Sequence, residues 1–503
     1  MNLQKKLISV VLILAMLLSI FYTAKLVKEK EKQDIFDTTK TLHIWYADEA
    51  LTDYLSSVAV KFNEEYGIRV IPVLQTGLEY LEKINAASLS SEATPDLFIA
   101  SNDNMEKAYL AGLATEISNP DNVVSLQNFP ESAIHAVTYQ KKLMGYPLYF
   151  ETSALLYNRT YFEDLAKEEL RAGKTDQAAR DGMDEAEETG EMAEASTEEV
   201  LISDEELTAQ ARERVPSMIP TTFDELLEFA YNYNAPDNVE AVFKWDVSDI
   251  FFNYFFVGNY MDMGGISGDN TDSIDVYNMD AIKALQAYQD LGQYFAIEAD
   301  EVAYETVIQD FMAGKVVMTT ATTDVVKRLE TAKAEGEFVY DYGMAKIPNL
   351  SEEMVTKSLS VTGTIFINGY SPLREEANTF AAYLVKEHTD ELYSMSGKVT
   401  ANRNTVHENE NISVFMQEYE DSIPMPKMMS TSNFWVEMEI VFDRIWNGAR
   451  VSDELKALSE RLKSQISGEV YEDTYIEVEE ETQGYYEYTD DGTVTDTGEE
   501  DMD

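Results

Sequence analysis

From Thr41 onward the sequence alternates strand and helix patterns, and this alternation restricts the fold more than any other feature. "TLHIWYA" is rich in β-branched and aromatic residues, the pattern of a strand. "LTDYLSSVAVKFNEEYG" follows, with Leu51, Leu55, Val58 and Phe62 at helical spacing and Gly67 as a stop. "IRVIPVL" and "LEYLEKINAASL" repeat the pair, as do "PDLFIAS" and "NMEKAYLAG", which closes at Gly112. Strands alternating with helices predict an α/β fold around a parallel sheet.

The middle of the chain continues the theme. "TTFDELLEFAYNYN" opens with Thr221 or Thr222 as an N-cap and acids in its first turn. "AVFKW" reads as a strand, and "DIFFNYFFVGNYM", apolar all round, as a buried helix. Gly264, Gly265 and Gly268 form a glycine cluster in a turn, with none of the spacing of a nucleotide loop. "DNTDSIDVYNMD" has the acids of a calcium loop, but Ile274 stands where the sharp turn needs Gly, so a hairpin and helix cap are expected. "KVVMTT" and "SLSVTGTIFIN" are further strands. "SPLREEANTFAAYLVKEH", "NFWVEMEIVFDRIWNG" and "SDELKALSERLKSQISG" are helices.

The ends and one internal stretch depart from this pattern. Lys5 and Lys6 precede an apolar run from Leu7 to about Ala24, expected to be a transmembrane anchor or a cleaved signal segment over residues 1–24. Tyr22 is bulky for a cleavage site, which favours the anchor; either reading places the rest outside the cytoplasmic membrane. Residues 25–40 read as a polar stalk. Residues 163–222 hold no aromatic residue, and 163–214 carry 18 acids, so this stretch is expected to be a surface insertion without a core. Residues 469–503 carry 15 acids and no Lys or Arg, and are expected to be a disordered tail.

The charge excludes some functions. The chain has 93 acids against 38 Lys and Arg, a net charge of −55. Binding phosphate backbones requires a basic footprint, so a nucleic-acid partner is excluded. The sequence has no cysteine, which removes disulfides, thiolate metal sites, cysteine nucleophiles and a lipidated N-terminal Cys. Its His residues, at 43, 135, 388 and 407, are scattered and form no H-E-x-x-H. No metal or cofactor is expected, and no hydrolase signature points to an enzyme.

Five blocks, in order, resemble one family. They are "KFNEEYGIRV", "PDLFIASNDNMEKAYLAGLATEIS", "GYPLYFETSALLYNRTYF", "VIQDFMAGKVVMTT" and "MPKMMSTSNFWVEMEIVFDRIWNG". Together they are similar to the extracellular solute-binding proteins of ABC importers, in the maltose/maltodextrin-binding group. The resemblance implies a two-lobed periplasmic-binding-protein-like α/β fold, with hinge strands and a ligand cleft between the lobes. Lobe 1 would be residues 41–150 and 359–408, and lobe 2 residues 151–358 and 409–468. It further implies a monomer that captures a carbohydrate, an oligosaccharide, between the lobes and delivers it to the permease subunits.

Sugars present hydroxyls and apolar C–H faces, so their sites need planar polar groups and flat rings. By the resemblance, Trp435 in "SNFW" is the stacking ring, while Trp446 on the same helix is core. Asp103 in "SNDN" matches an acidic contact at a strand end, and Glu151 after "YPLYF" matches a carboxylate at the crossing between lobes. Asp48 or Glu49, ending the first strand, is a further contact or a helix cap. Tyr254, Trp245 and Asp246 are candidates from the second lobe, and Arg403 in "TANRN" from a polar loop. Ala100 and Ser101 stand where maltodextrin binders often carry a Trp, and Thr322, Thr323 and Asp324 occupy another such place. The sugar is therefore left open. A polyamine or cationic peptide is the alternative that the charge favours, and a membrane-tethered sensor or adaptor is a third reading.

Overall fold

The computed structural model describes residues 40–90, 94–173 and 203–477. The N-terminal apolar segment and the stalk up to residue 39 lie outside these residues, as do residues 174–202 and 478–503. Among the described residues, no helix is long and apolar enough to cross a membrane.

The chain divides into two units. The first comprises Met1–Pro130, Val137–Phe150 and Thr362–Val406; the second comprises Glu131–Ala136, Glu151–Val361 and His407–Asp503. Two strands, Gly145–Asn158 and Leu359–Ile367, run from one unit into the other.

In the first unit, strand Thr41–Tyr46 pairs in parallel with Arg69–Leu74 on one side and Leu97–Ser101 on the other. Leu42, Ile44, Trp45 and Tyr46 are all buried, because helices cover both faces of a parallel sheet. Helix Thr52–Tyr66 buries Leu55, Val58 and Phe62, the expected stripe, and stops at Gly67, whose φ of 67° is left-handed. Residues Gly363–Ile367 add an antiparallel strand beside Leu97–Ser101.

In the second unit, the end of strand Gly145–Asn158 pairs antiparallel with Val316–Thr322 and Tyr342–Ala345, and Val316–Thr322 runs parallel to Ala241–Phe243. The core is strongly aromatic: Phe223, Phe243, Trp245, Phe255, Phe256 and Tyr288 are buried within it. The predicted calcium-loop lookalike is a hairpin, Asp262–Met263 with Ile274–Asp275, followed by Asn278 capping the helix Met279–Tyr294.

Four expectations need correction. Glu131–Ala136 belongs with the second unit, although the sequence reading placed it in lobe 1. There Lys427, fully buried, donates from Nζ to the carbonyls of His135 (2.6 Å) and Ser267. Burial pulls the Lys427 ammonium down to about 7. "DIFFNYFFVGNYM" is buried but is not one helix. Asp249 caps a single turn, Ile250–Asn253, which tightens into a 3-10 turn at Tyr254–Phe256. A side chain at Gly258 would strike the Lys357 carbonyl, so the backbone passes too closely there for a continuous helix to carry side chains all round.

The acidic stretch is not coreless throughout. Helix Asp204–Arg214 buries Leu207 and Ala211, and its Arg212 and Arg214 pair with Glu163 (3.2 Å) and Glu169 (2.5 Å) of the helical run 159–173. The start of the tail also packs. Ile476 N–H donates to the Tyr277 hydroxyl at 2.8 Å, and Lys463 pairs with Asp473 at 3.0 Å. Charge density misleads in both segments, because a few apolar side chains and matched ion pairs suffice to dock a short element on an existing core.

Candidate ligand site

Two strand ends of the first unit build the candidate site. After Tyr46 the chain turns into the 3-10 turn Glu49–Leu51, and Asp48 caps it: Oδ1 accepts from Ala50 N–H at 3.0 Å. Asp48 Oδ2 pairs with Lys398 Nζ at 2.9 Å. Ser101 ends the neighbouring strand and leads into the turn Asn102–Asn104. Its hydroxyl donates to Asp103 Oδ1, while Asn104 Nδ2 donates to Ser101 Oγ (3.0 Å) and Asp103 Oδ1 (3.1 Å). Asn102 is buried and its Oδ1 accepts from Thr362 N–H at 2.9 Å, which ties the turn to the sheet.

These ends border a cavity of about 310 Å³. Asp48, Ser101, Asn104 and Lys107 give it polar groups, and Tyr80 and Tyr149 give it rings. Tyr149 is half-buried and seated over Gly363, where any side chain would collide with the ring. Lys398 Nζ lies 5.3 Å from the Tyr149 ring centroid. Lys107 pairs with Glu82 at 2.6 Å on the rim. Burial pushes the Tyr80 phenol up, so it stays a neutral hydroxyl. The place is where open α/β sheets hold ligands, outside the carboxyl ends of the strands. Neutral hydroxyl and amide groups, fixed charges and flat rings can bind a neutral polar molecule by hydrogen bonds and stacking. Among the described residues, no group of three or more His, Asp or Glu could hold a metal ion.

The nine residues singled out from sequence fall in different places. Asp48 borders the cavity and is also the helix cap. Glu49 is exposed in the first turn beside it. Asp103 is half-buried, and its carboxylate holds Ser101 and Asn104, which border the cavity themselves. Arg403 is exposed, with its backbone N–H on the Asn128 carbonyl at 2.9 Å.

In the second unit, Glu151 is half-buried on its strand. Trp435 is half-buried, 5.3 Å from Phe434 and 6.2 Å from Tyr254 by ring centroids. Tyr254 is fully buried, and burial pushes its phenol up. Trp245 is fully buried, with Nε1 donating to Asn253 Oδ1 at 2.9 Å. Its ring has both faces in the core, so it is not the exposed ring expected of a ligand contact. Asp246 is a turn cap: Oδ1 accepts from Asp249 N–H (3.2 Å) and Oδ2 from Tyr304 N–H (3.1 Å).

Tyr80, Ser101, Asn104, Lys107 and Tyr149, which border the cavity, were not singled out as contacts from sequence, and neither was Lys398, which touches Asp48 and the Tyr149 ring. Tyr149 lies in "YPLYF", two residues before the carboxylate that was picked, and its alternation with buried Leu148 and Phe150 could have marked it as the residue facing away from the core.

The sequence profile of bacterial extracellular solute-binding proteins matches residues 57–417. The chain belongs to this family. The fold of this solute-binding protein is shared with several solved structures. An extracellular solute-binding protein from Staphylococcus aureus in complex with maltose is 19% identical, with a TM-score of 0.64, covering 85% of this chain and 98% of that one. A maltose-binding periplasmic protein from Listeria monocytogenes in complex with maltose is 18% identical, with a TM-score of 0.61 and coverage of 86% and 98%. A Thermus thermophilus maltotriose-binding protein, bound with maltotriose, is 17% identical, with a TM-score of 0.56 and coverage of 84% and 100%. At these identities the likeness is one of fold: a two-lobed α/β binding protein. No curated protein matches the chain.

Proposed function

We propose that this solute-binding protein is the extracytoplasmic substrate-binding subunit of an ABC importer and that it captures a carbohydrate, an oligosaccharide, for delivery to the permease. The observation that carries the proposal is the cavity of the first unit, where two tyrosine rings stand beside Asp48, Ser101 and Asn104. Rings suit the apolar faces of a sugar, and these acceptors and donors suit its hydroxyls. The sugars held by the structural relatives agree with this reading. In the same proposal, the apolar segment Leu7–Ala24 tethers the protein to the membrane, with the binding units outside.

A cationic ligand such as a polyamine is the second reading, supported by the net charge of −55. Lys107 on the cavity rim opposes it by placing positive charge beside the cavity, and Lys398 opposes it by pairing with the Asp48 carboxylate that a cation would need.

The test is a thermal-shift series on the whole chain, with malto-, cello- and xylo-oligosaccharides and with spermidine, because a ligand that binds the native state raises Tm by mass action. One oligosaccharide series is expected to raise Tm, and Tyr149→Ala or Asn104→Ala to weaken that response. A rise with spermidine alone would replace the carbohydrate reading.

A further inference from the structure

Lys398 has no place in the set of residues picked out by sequence, yet it touches both kinds of wall that the cavity needs. It follows Gly397, whose φ of 77° ends the helix Thr389–Ser396, and it precedes the two-residue strand Val399–Thr400. That strand pairs antiparallel with Tyr149 and Phe150, with Thr400 opposite Tyr149. The Lys398 backbone N–H is held by Ser396 Oγ at 3.1 Å. The side chain is only 19% exposed, against 35% for Asp48. A lysine is costly to enclose this far unless something fixes its charge. Here the Asp48 carboxylate at 2.9 Å and the face of the Tyr149 ring at 5.3 Å do so.

We propose that Lys398 is a positioning and specificity residue of the cavity: its ammonium locks the Asp48 carboxylate and the Tyr149 ring into one preorganised wall. This role rests on the carbohydrate reading of the same cavity. Asp48 otherwise has one oxygen on Ala50 N–H and the other free to turn toward solvent. With Lys398 in place, both carboxylate oxygens have fixed partners, which leaves their remaining lone pairs for a ligand hydroxyl. The ring is set by its close packing on Gly363 and by the ammonium 5.3 Å from its centroid. Holding such groups before binding spares the ligand the cost of ordering them. The pair also removes the net charge of Asp48, so the wall selects a neutral polar ligand over a cation.

The experiment is calorimetric titration of the whole chain with the oligosaccharide that binds tightest in the panel above, for wild type, K398M, K398R, D48N and K398M/D48N, with urea unfolding of each. K398M is expected to weaken binding by about tenfold, the combined scale of a partly buried cation–π contact and an ion pair, with little change in the unfolding midpoint. K398R is expected to restore most of the affinity, because it keeps the charge and stacks on a ring. D48N is expected to cost less in the K398M background than in wild type, the mark of coupled residues. K398M is also expected to bind spermidine more strongly than wild type. Unchanged affinity in K398M overturns the proposal. So does a loss that K398R shares and that adds simply to D48N, because this is what a purely structural lysine would give. If wild type binds no oligosaccharide at all, the carbohydrate reading falls, and this role with it.

Discussion

The Trp435 ring lies 6.2 Å from the buried ring of Tyr254, tilted by 59°, and keeps part of its surface in solvent. A half-buried tryptophan leaning on a buried tyrosine has part of its ring supplied by the core and part left in solvent. Trp435→Ala is therefore expected to cost less stability than removal of a fully buried ring. Its stability cost, from urea unfolding, is expected to stay below the roughly 3–5 kcal/mol of a fully buried tryptophan. A full core-sized stability loss would return Trp435 to the core of the second unit.

Much of the first unit was legible because its parallel strands and amphipathic helices have simple periods. Leu51, Leu55, Val58 and Phe62 marked a helix face, and all four are buried. Where the period fails, so did the reading. "DIFFNYFFVGNYM" is apolar at every position and gives no phase, so its break between Asn253 and Tyr254 left no mark. Leu207 and Ala211 were lost in a sea of acids, although they are the buried stripe of their helix. The candidate site was legible only at its strand ends. Asp48 could be chosen because it follows a strand, whereas Lys398 reads as any surface lysine until pairing of the next strand, Val399–Thr400, with Tyr149–Phe150 brings it against Asp48 and the Tyr149 ring. Convergence of residues hundreds of positions apart is a property of the fold, and sequence spacing does not carry it.

Glu418 is buried beneath the start of strand Leu359–Ile367. Its Oε1 accepts from Ile347 N–H at 2.6 Å and its Oε2 from the Ser358 hydroxyl at 3.1 Å. Burial raises its carboxyl to about 7, against the partial opposition of these hydrogen bonds and of Lys346, which itself pairs with Asp421 at 2.6 Å. A carboxyl raised on folding is more protonated in the native state than in the unfolded one. Its contribution is therefore complete below the ordinary glutamate range and is lost as pH rises through about 7. Relative to E418Q, wild type is expected to lose stability on the order of 3 kcal/mol between about pH 4.5 and pH 8, measured by urea unfolding. Parallel profiles for the two proteins would show that Glu418 stays ionised in the fold.

The segment after Gly468 is expected to contribute to the fold as far as Ile476. Ser452 Oγ donates to the Ile476 carbonyl at 3.3 Å, and Asp473 N–H donates to Glu460 Oε1 at 3.0 Å. Ile476 packs against the core of the second unit. Ending the chain after Gly468 should therefore lower stability by about 1–3 kcal/mol, from the lost apolar contact and hydrogen bonds. Ile476→Ala should cost a smaller part of that. An unchanged urea midpoint on truncation would show that these contacts contribute nothing.

The central claim is that the cavity bounded by Asp48, Ser101, Asn104 and Tyr149 binds a neutral sugar. The most direct measurement is a calorimetric titration of the whole chain with the best oligosaccharide and with spermidine, each at low and high salt. Saturable sugar binding is expected, with an affinity that barely changes with ionic strength, because no net charge is exchanged, and that falls sharply in Tyr149→Ala. Spermidine binding that weakens steadily with salt, together with no oligosaccharide heat at either ionic strength, would contradict it.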